Sequence, residues 1–194
     1  NFLDALRGMR NLRVEFFPFD EVMREVGRKE MNARLLRKVE EQKPDVCFFV
    51  LFTDEIDKKT VRTITKKSGA ITLNWFGDDH WRFSSFSRFF APEFHWVLTT
   101  DSLAVEKYHS LGCKNVIKTQ WGVNHHLYKR FELPQEFDVT FVGQVHSQRK
   151  RIIDQLQKAG IRVQCWGKGW ETGRLSQDEM IRTYSRSRVN LNFT

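Results

Sequence analysis

Residues 137–170, FDVTFVGQVHSQRKRIIDQLQKAGIRVQCWGKGW, contain one strand–helix–strand unit, which indicates the fold class. The apolar run at 139–142 is followed by Gly143, as at the end of a strand buried in a parallel sheet. Apolar residues then recur at helical spacing up to Gly160, where a left-handed glycine would end the helix. A second apolar run at 161–166 completes the unit. A crossover this short predicts two parallel strands with a right-handed connection.

The rest of the chain repeats this alternation. A helix, a glycine and an apolar strand follow one another three times, at Gly69, Gly112 and Gly160. Such alternation predicts an α/β protein with largely parallel sheets. The pattern is interrupted before the third repeat, between Gly122 and Gln135, where the residues are mostly polar and show no regular hydrophobic period. We therefore predict two domains, at residues 1–130 and 131–194.

Four further elements are predicted from local patterns. The stretch LRVEFFPF at 12–19 predicts a strand, and residues 21–42 predict a long amphipathic helix. The four residues from Ser176 to Glu179 form a capping-box pattern that should open another helix. The stretch VNLNFT at 189–194 predicts the last strand.

Charge and composition limit the classes of function. The net charge is +8, and residues 137–194 carry 10 Lys and Arg against 5 Asp and Glu. A basic chain suits nucleic acid, but no basic-aromatic signature such as that of an RNA-recognition module is present. We therefore expect no nucleic-acid partner. Because of the positive charge, nucleic-acid binding is still retained as an alternative function. The longest apolar run, at 46–52, is too short to span a bilayer.

The three cysteines indicate a reducing compartment. Cys47, Cys113 and Cys165 are odd in number and widely spaced, so they are interpreted as reduced core residues of a cytoplasmic protein. The sequence has no CxxC or HExxH pattern, and no metal is expected.

The turn after the strand at 139–142 is suited to binding an anion. Gly143 allows a tight turn, and the helix start that follows offers unpaired amides and a partial positive charge. Arg149, Lys150 and Arg151 add formal charge that suits a diphosphate. The alternative is a solvated basic helix start after an ordinary loop, since neither the GxGxxG nor the GxxxxGK[ST] motif is present.

Two more loops follow predicted strands. Asp78 and Asp79 lie in the sequence GDDH, which could supply a general base or could be a turn stabilised by its own side chains. The sequence GKGW at 167–170 would let a planar base approach its glycines, and Trp170 either walls a pocket or packs on the core. Because both loops follow strands, they lie where open parallel sheets bind ligands.

Several of these motifs occur together, in one order, in a known family. NWFGDDHW, HWVLTTDSLAVEKYHSLGCKNVIKTQWGVNHHLY, DVTFVGQVHSQRKRIIDQLQKAGIRVQCWGKGW and YSRSRVNLNF resemble glycosyltransferases of the GT-B fold. The likeness is closest to the spore-maturation, CgeB-like group, and it covers roughly residues 70–194. It implies two Rossmann-like domains that face each other across a cleft, with the acceptor on the first and the nucleotide-sugar donor on the second.

The resemblance also implies roles for individual residues. Gly143 and Gln144 would lie under the donor phosphates, and Arg149 would pair with the diphosphate. Asp78 and Asp79 would face the cleft, as a base or as groups that orient the acceptor. The remaining donor-side residues would approach the nucleotide base or line the donor pocket: Gly167, Lys168, Gly169, Trp170, Tyr184 and Asn192. The fold needs no metal, because cationic side chains and helix starts can stabilise the leaving diphosphate.

The implied function is transfer of a hexose from a nucleotide-diphosphate sugar to an unknown glycan, protein or small-molecule acceptor. Members of the family continue past this point with an acidic segment that holds the ribose, so we expect the second domain to be incomplete. The alternatives are an inactive fragment of such an enzyme and a non-catalytic nucleotide-binding module.

Overall fold

A computed structural model describes residues 2–193 of the chain. The chain divides into two units, Asn1–Gly122 and Val123–Thr194. Each unit contains one parallel sheet with helices between its strands, so the predicted α/β class with parallel sheets is confirmed.

The sheet of the first unit has four parallel strands in the order β1-β2-β3-β4. The strands are β1 (Val46–Phe49), β2 (Ile71–Phe76), β3 (Trp96–Thr99) and β4 (Val116–Lys118). Neighbours in the sheet are also neighbours in the chain, and a helical segment joins each pair. Because all four strands point the same way, the loops that follow them lie at one edge of the sheet.

Helical segments precede and connect the strands of the first unit. They are α1 (Phe2–Arg7), α2 (Phe19–Gln42), α3 (Lys58–Lys67), α4 (Asp79–Arg82), a π-helical turn (Phe83–Ser87), α5 (Arg88–Phe90), a 3₁₀ turn (Ala91–Glu93) and α6 (Ser102–Ser110). The helix predicted at 21–42 is confirmed as α2, with Met31, Leu35 and Val39 buried. Gly27, at φ 79° and ψ 163°, interrupts its helical backbone.

The glycines that mark the repeat end helices as the sequence predicts. Gly69, Gly112 and Gly160 have φ of 79°, 84° and 83°. An L-residue strains in this left-handed conformation, whereas glycine adopts it freely. The alternation of helix, glycine and strand therefore reflects a real constraint on the backbone at each turn.

The strand predicted at 12–19 is wrong. Residues 12–18 have no regular secondary structure, and α2 already begins at Phe19. A strand needs a neighbour that pairs its backbone groups, and no described strand pairs with this segment. The apolar alternation instead reflects packing, because Phe17 and Phe19 lie against the core of the first unit.

The second unit has a smaller sheet in the order β6-β5-β7, with all neighbours parallel. Its elements are β5 (Phe137–Val142), α7 (Ser147–Lys158), β6 (Val163–Trp166), α8 (Gln177–Ser185) and β7 (Ser187–Asn190). The last strand begins and ends earlier than the predicted 189–194, and Thr194 lies outside the described residues. Tertiary pairing with β5, from Phe137 to Thr140, sets these bounds rather than the local apolar pattern.

The capping box at Ser176 is confirmed and gives a first testable prediction. The Ser176 hydroxyl accepts from the Glu179 N–H, and Glu179 Oε2 accepts from the Ser176 N–H at 2.8 Å. We expect Ser176→Ala to lower the free energy of unfolding by about 1 kcal/mol, because it leaves a helix-start amide without its acceptor. Urea unfolding followed by circular dichroism measures this loss. Gln177→Ala, in the same exposed turn, is the control, and an equal loss in both variants would contradict the cap's role.

Across residues 2–193, no helix is both long enough and apolar enough to cross a membrane.

Candidate functional site

The loops of the second unit that were singled out in the sequence come together at one edge of its sheet. The first glycine loop, residues 143–146, follows β5, and the second glycine loop, residues 167–173, follows β6. Asn192 follows β7, which lies on the other side of β5. Since the three strands are parallel, these segments all leave the sheet at its carboxyl edge, where open parallel sheets bind ligands.

The two glycine loops are held together by hydrogen bonds between their backbones. The Gly143 N–H donates to the Trp166 carbonyl at 2.8 Å, and the Val145 N–H donates to the Lys168 carbonyl at 2.9 Å. Residues 143–145 thus continue the pairing of β5 with β6 beyond the ends of the strands. The two loops are thus joined by backbone hydrogen bonds at the carboxyl edge of the sheet.

Gly167 is required for this pairing. Its φ is +135°, and a Cβ built there would lie 2.2 Å from the Gly143 carbonyl oxygen and 2.6 Å from its carbon. Both are backbone atoms that cannot swing aside. Gly169 has φ +92° and would place a Cβ 3.0 Å from Val145 Cβ. The glycines of GKGW therefore allow the close contact between the two loops, and this requirement does not depend on a ligand.

Trp170 packs on the core of the second unit. Its indole N–H donates to the Gly143 carbonyl at 2.9 Å, and its ring meets Phe141 edge-on at a centroid distance of 6.2 Å. The sequence left open whether Trp170 lines a pocket or packs on the core, and the structure shows it packed on the core. Trp170 thereby fixes the first glycine loop, and contact with a nucleotide base stays a prediction.

Arg149 links the first glycine loop to the end of β7. From the first turn of α7, its guanidinium donates to the carbonyls of Gln144 at 3.2 Å and Phe193 at 3.3 Å, and it lies over the Phe141 ring. A guanidinium carries more N–H donors than these two contacts use. The N-cap residue of α7, His146, makes no side-chain cap hydrogen bond. The helix start and Arg149 therefore offer positive potential and N–H donors beside the glycine loops.

The other predicted donor residues are placed differently. Lys168 and Asn192 are exposed at the carboxyl edge. Tyr184 lies in the last turn of α8, before β7 begins, and not in a loop that follows a strand. Burial raises the pKa of the Tyr184 hydroxyl, and its carbonyl accepts from the Asn190 side chain at 3.1 Å.

In the first unit, the two predicted catalytic carboxylates have different environments. Asp79 is 1% exposed, and its Oδ2 accepts from the Thr99 hydroxyl at 2.6 Å and the Tyr108 hydroxyl at 2.7 Å. Its Oδ1 is buried without a partner among the described residues. Desolvation raises the pKa of the Asp79 carboxyl, although the surrounding hydroxyl groups oppose the shift. Asp79 thus joins α4, β3 and α6 from inside the unit.

Asp78 lies at the surface side of the same turn. It is half-buried and lines a small recess with Phe52, Gly77 and Arg82 at the carboxyl edge of the first sheet. Its carbonyl accepts from the Arg82 N–H at 2.9 Å, whereas its carboxylate makes no hydrogen bond or ion pair within residues 2–193. Of the two acids, Asp78 is therefore the one that a substrate can reach, and the catalytic role of both stays a prediction.

A second groove at this edge was not predicted from the sequence. It has a volume of about 590 Å³ and is lined by His80, Thr100, Asp101, Ser102, Gln120 and Trp121. Except for His80, these residues directly follow β3 or lie just beyond β4. The positions of the predicted strand ends could therefore have indicated this groove. No group of three or more histidine, cysteine or acidic side chains that could hold a metal occurs in the described part of the chain.

Comparison with known proteins bears on the second unit. Residues 148–194 match the family model described as Glycosyl transferase-like. The matched segment contains Arg149 and the second glycine loop, and the first glycine loop lies just before it. A search of curated proteins found no match to the chain. The family match supports a glycosyltransferase in general.

Proposed function

We propose that this protein is a glycosyltransferase of GT-B type, nearest to the CgeB-like group, that moves a hexose from a nucleotide-diphosphate sugar to an acceptor. The observation that carries the proposal is the glycosyltransferase-like match, which falls on Arg149 and the second glycine loop. In support of a cytoplasmic location, the cysteines Cys47, Cys113 and Cys165 are free thiols.

The donor diphosphate is assigned to the carboxyl edge of the second sheet. There, the uncapped start of α7 supplies backbone amides, and Arg149 supplies a cation that is already oriented by two carbonyls. The charge-assisted hydrogen bonds that a guanidinium makes with phosphate are stronger than neutral ones. The interlocked glycine loops would hold these donors in place as the diphosphate binds.

The same donors suit the leaving group of sugar transfer. An acceptor hydroxyl oxygen bonds to the anomeric carbon while the bond from that carbon to the diphosphate oxygen breaks. The electron pair of the broken bond stays on the diphosphate, and the hydroxyl proton passes to a base. Positive groups fixed beside the departing oxygen stabilise the charge that develops there. We propose Asp78 as the candidate base, since Asp79 is enclosed by Thr99 and Tyr108.

Calorimetric titration of the chain with UDP, GDP, ADP and CMP tests the proposal. We expect saturable binding of one nucleoside diphosphate with a clear preference over the others, because the base and the diphosphate would be bound by separate groups. Titration of the chain with an oligonucleotide at rising salt is the accompanying control, since affinity for nucleic acid would fall steeply with added salt. Absence of saturable binding by every one of the four nucleotides would contradict the assignment of a donor site to this chain.

Arg149→Ala is expected to weaken binding of the preferred diphosphate about tenfold or more, because it removes charge-assisted hydrogen bonds. The control is Arg151→Ala, which removes an exposed cation of the same helix that makes no hydrogen bond or ion pair within residues 2–193. A melt followed by circular dichroism checks that loss of the Gln144 and Phe193 contacts has left the fold intact. Equal affinities in the two variants would remove the phosphate role from Arg149.

A non-catalytic nucleotide-binding module is the second candidate, and the burial of Asp79 favours it. It predicts nucleotide binding that survives Asp78→Asn together with no release of nucleoside diphosphate from any sugar donor. The transferase predicts slow release from the preferred donor, because water can replace the acceptor, and loss of this release in Asp78→Asn. Measuring free diphosphate in both proteins distinguishes the two.

A further inference from the structure

The groove that was missed from sequence lies wholly within the first unit, at the carboxyl edge of its sheet. Thr100 and Asp101 follow β3, Gln120 and Trp121 lie just beyond β4, and His80 belongs to α4, which follows β2. Its volume of about 590 Å³ is within the range of about 300–1,000 Å³ that small-molecule sites occupy. The groove is therefore large enough to hold a ligand.

One wall of this groove is an exposed tryptophan that packs on a second, buried tryptophan. Trp121 is 62% exposed, and its ring meets the buried Trp75 edge-on at 4.6 Å and 90°. The Trp75 indole N–H donates to the Thr119 hydroxyl at 3.0 Å. Gly77 makes room for the pair, because a Cβ there would lie 2.5 Å from Trp75 and 2.9 Å from Trp121. Trp121 thus packs on a buried ring while most of its own surface stays accessible to a ligand.

The rest of the lining is polar and carries no lysine or arginine. Thr100 donates to the Gly77 carbonyl at 2.7 Å, and Asp101 Oδ1 accepts from the Leu103 N–H at 2.9 Å. The second Asp101 oxygen and the side chains of His80, Ser102 and Gln120 make no hydrogen bond within residues 2–193. These groups can accept from or donate to hydroxyls. A diphosphate would find no lysine or arginine among these lining residues, and an apolar ligand would leave several polar groups without partners.

We propose that this groove binds a pyranose ring of a neutral saccharide, and that this saccharide is the acceptor. The assignment to an acceptor rests on the proposed function. A pyranose has an apolar C–H face, which packs on Trp121, and a rim of hydroxyls, which Asp101, Gln120 and His80 bind. Both features of the ligand have a counterpart in the groove.

Saturation-transfer NMR with four methyl glycosides tests the proposal: methyl α-glucopyranoside, methyl β-glucopyranoside, methyl β-galactopyranoside and methyl α-mannopyranoside. We expect transfer to the ring protons of at least one glycoside. Titration should show affinity about tenfold or more lower in Trp121→Ala, since loss of one central aromatic contact removes a large share of the binding energy. The control is Trp81→Ala, because Trp81 is 60% exposed in the same unit but does not line the groove.

Three results would overturn the proposal: no transfer to any of the four glycosides, an affinity that is unchanged in Trp121→Ala, or an equal loss of affinity in Trp81→Ala. Transfer that disappears when a nucleoside diphosphate is added would place the glycoside in the donor site, and so overturn it as well. A chain that binds nucleotide through Arg149 but binds no glycoside refutes this inference alone. Glycoside binding without nucleotide binding refutes the proposed function and, with it, the acceptor role.

Discussion

Replacing Gly167 with alanine is expected to lower the free energy of unfolding of the second unit by about 3 kcal/mol or more. The new methyl group would lie 2.2 Å from the Gly143 carbonyl oxygen, and the backbone would keep its φ of +135° only under strain. To relieve the clash, the second glycine loop must move away from the first. The hydrogen bonds from Gly143 to Trp166 and from Val145 to Lys168 would then lengthen or break. Urea unfolding followed by circular dichroism measures the loss.

Gly160→Ala is the matched control for this substitution. Gly160 also has a left-handed φ, of +83°, but an added Cβ there meets nothing within 4 Å. It should therefore cost only the backbone strain, about 1 kcal/mol. The difference between the two variants measures the close approach of the loops. Equal losses would contradict the interlocked arrangement of residues 143–145 with 166–168.

Replacing Asp79 with alanine is expected to lower the free energy of unfolding by about 3 kcal/mol, because it leaves the Thr99 and Tyr108 hydroxyls buried without their acceptor and opens a cavity. Both partners are 0% exposed, so water cannot readily replace the carboxylate. Asp79→Asn keeps the shape and an acceptor oxygen, and it removes a buried charge. We expect Asp79→Asn to be at least as stable as the wild type at neutral pH.

The pH dependence of this difference follows from the raised pKa of Asp79. The folded state binds the proton more tightly than the unfolded chain, in which an aspartate has a pKa of about 3.9. Between the unfolded and the folded pKa, the folded state holds more protons, so the stability of the wild type falls as pH rises. Relative to Asp79→Asn, the wild type should therefore lose stability as pH rises through this window. Below the unfolded pKa, the difference should be constant.

Unfolding curves of the wild type and both Asp79 variants, collected across this pH range, check these expectations. If the wild type became more stable relative to Asp79→Asn as pH rises, the folded state would favour the ionised carboxylate. An Asp79→Ala variant as stable as the wild type would contradict the structural role of the contacts with Thr99 and Tyr108. Nucleoside-diphosphate release that is lost in Asp79→Asn while the fold persists would favour a catalytic role for this residue.

Local pattern in the sequence was enough to predict most of the fold. Glycines with left-handed backbone mark the helix ends at 69, 112 and 160, and this requirement is visible without any tertiary information. Pairing between strands is not local, which is why the apolar alternation at 12–19 was misinterpreted and why the bounds of β7 were displaced. Both errors arise where the partner strand, rather than the segment itself, determines the structure.

The candidate site was predictable to a smaller extent. The sequence identified both glycine loops, but whether Trp170 faces a ligand or the core depends on Phe141 and the Gly143 carbonyl, which only folding brings near it. Likewise, neighbouring aspartates look equivalent in GDDH, yet Asp79 faces Tyr108, which is 29 residues away in the chain. The polar groove beside Trp121 combines residues from three strand ends, each of which looks ordinary alone.

The central claim is that a donor diphosphate binds where the glycine loops meet the start of α7. Amide chemical-shift mapping by NMR, with the nucleoside diphosphate that calorimetry selects, tests it most directly. We predict that the largest shifts fall at residues 143–151 and 167–170, and that Arg149→Ala reduces them while Arg151→Ala does not. Shifts confined to the first unit, or spread without a maximum at these residues, would contradict the claim.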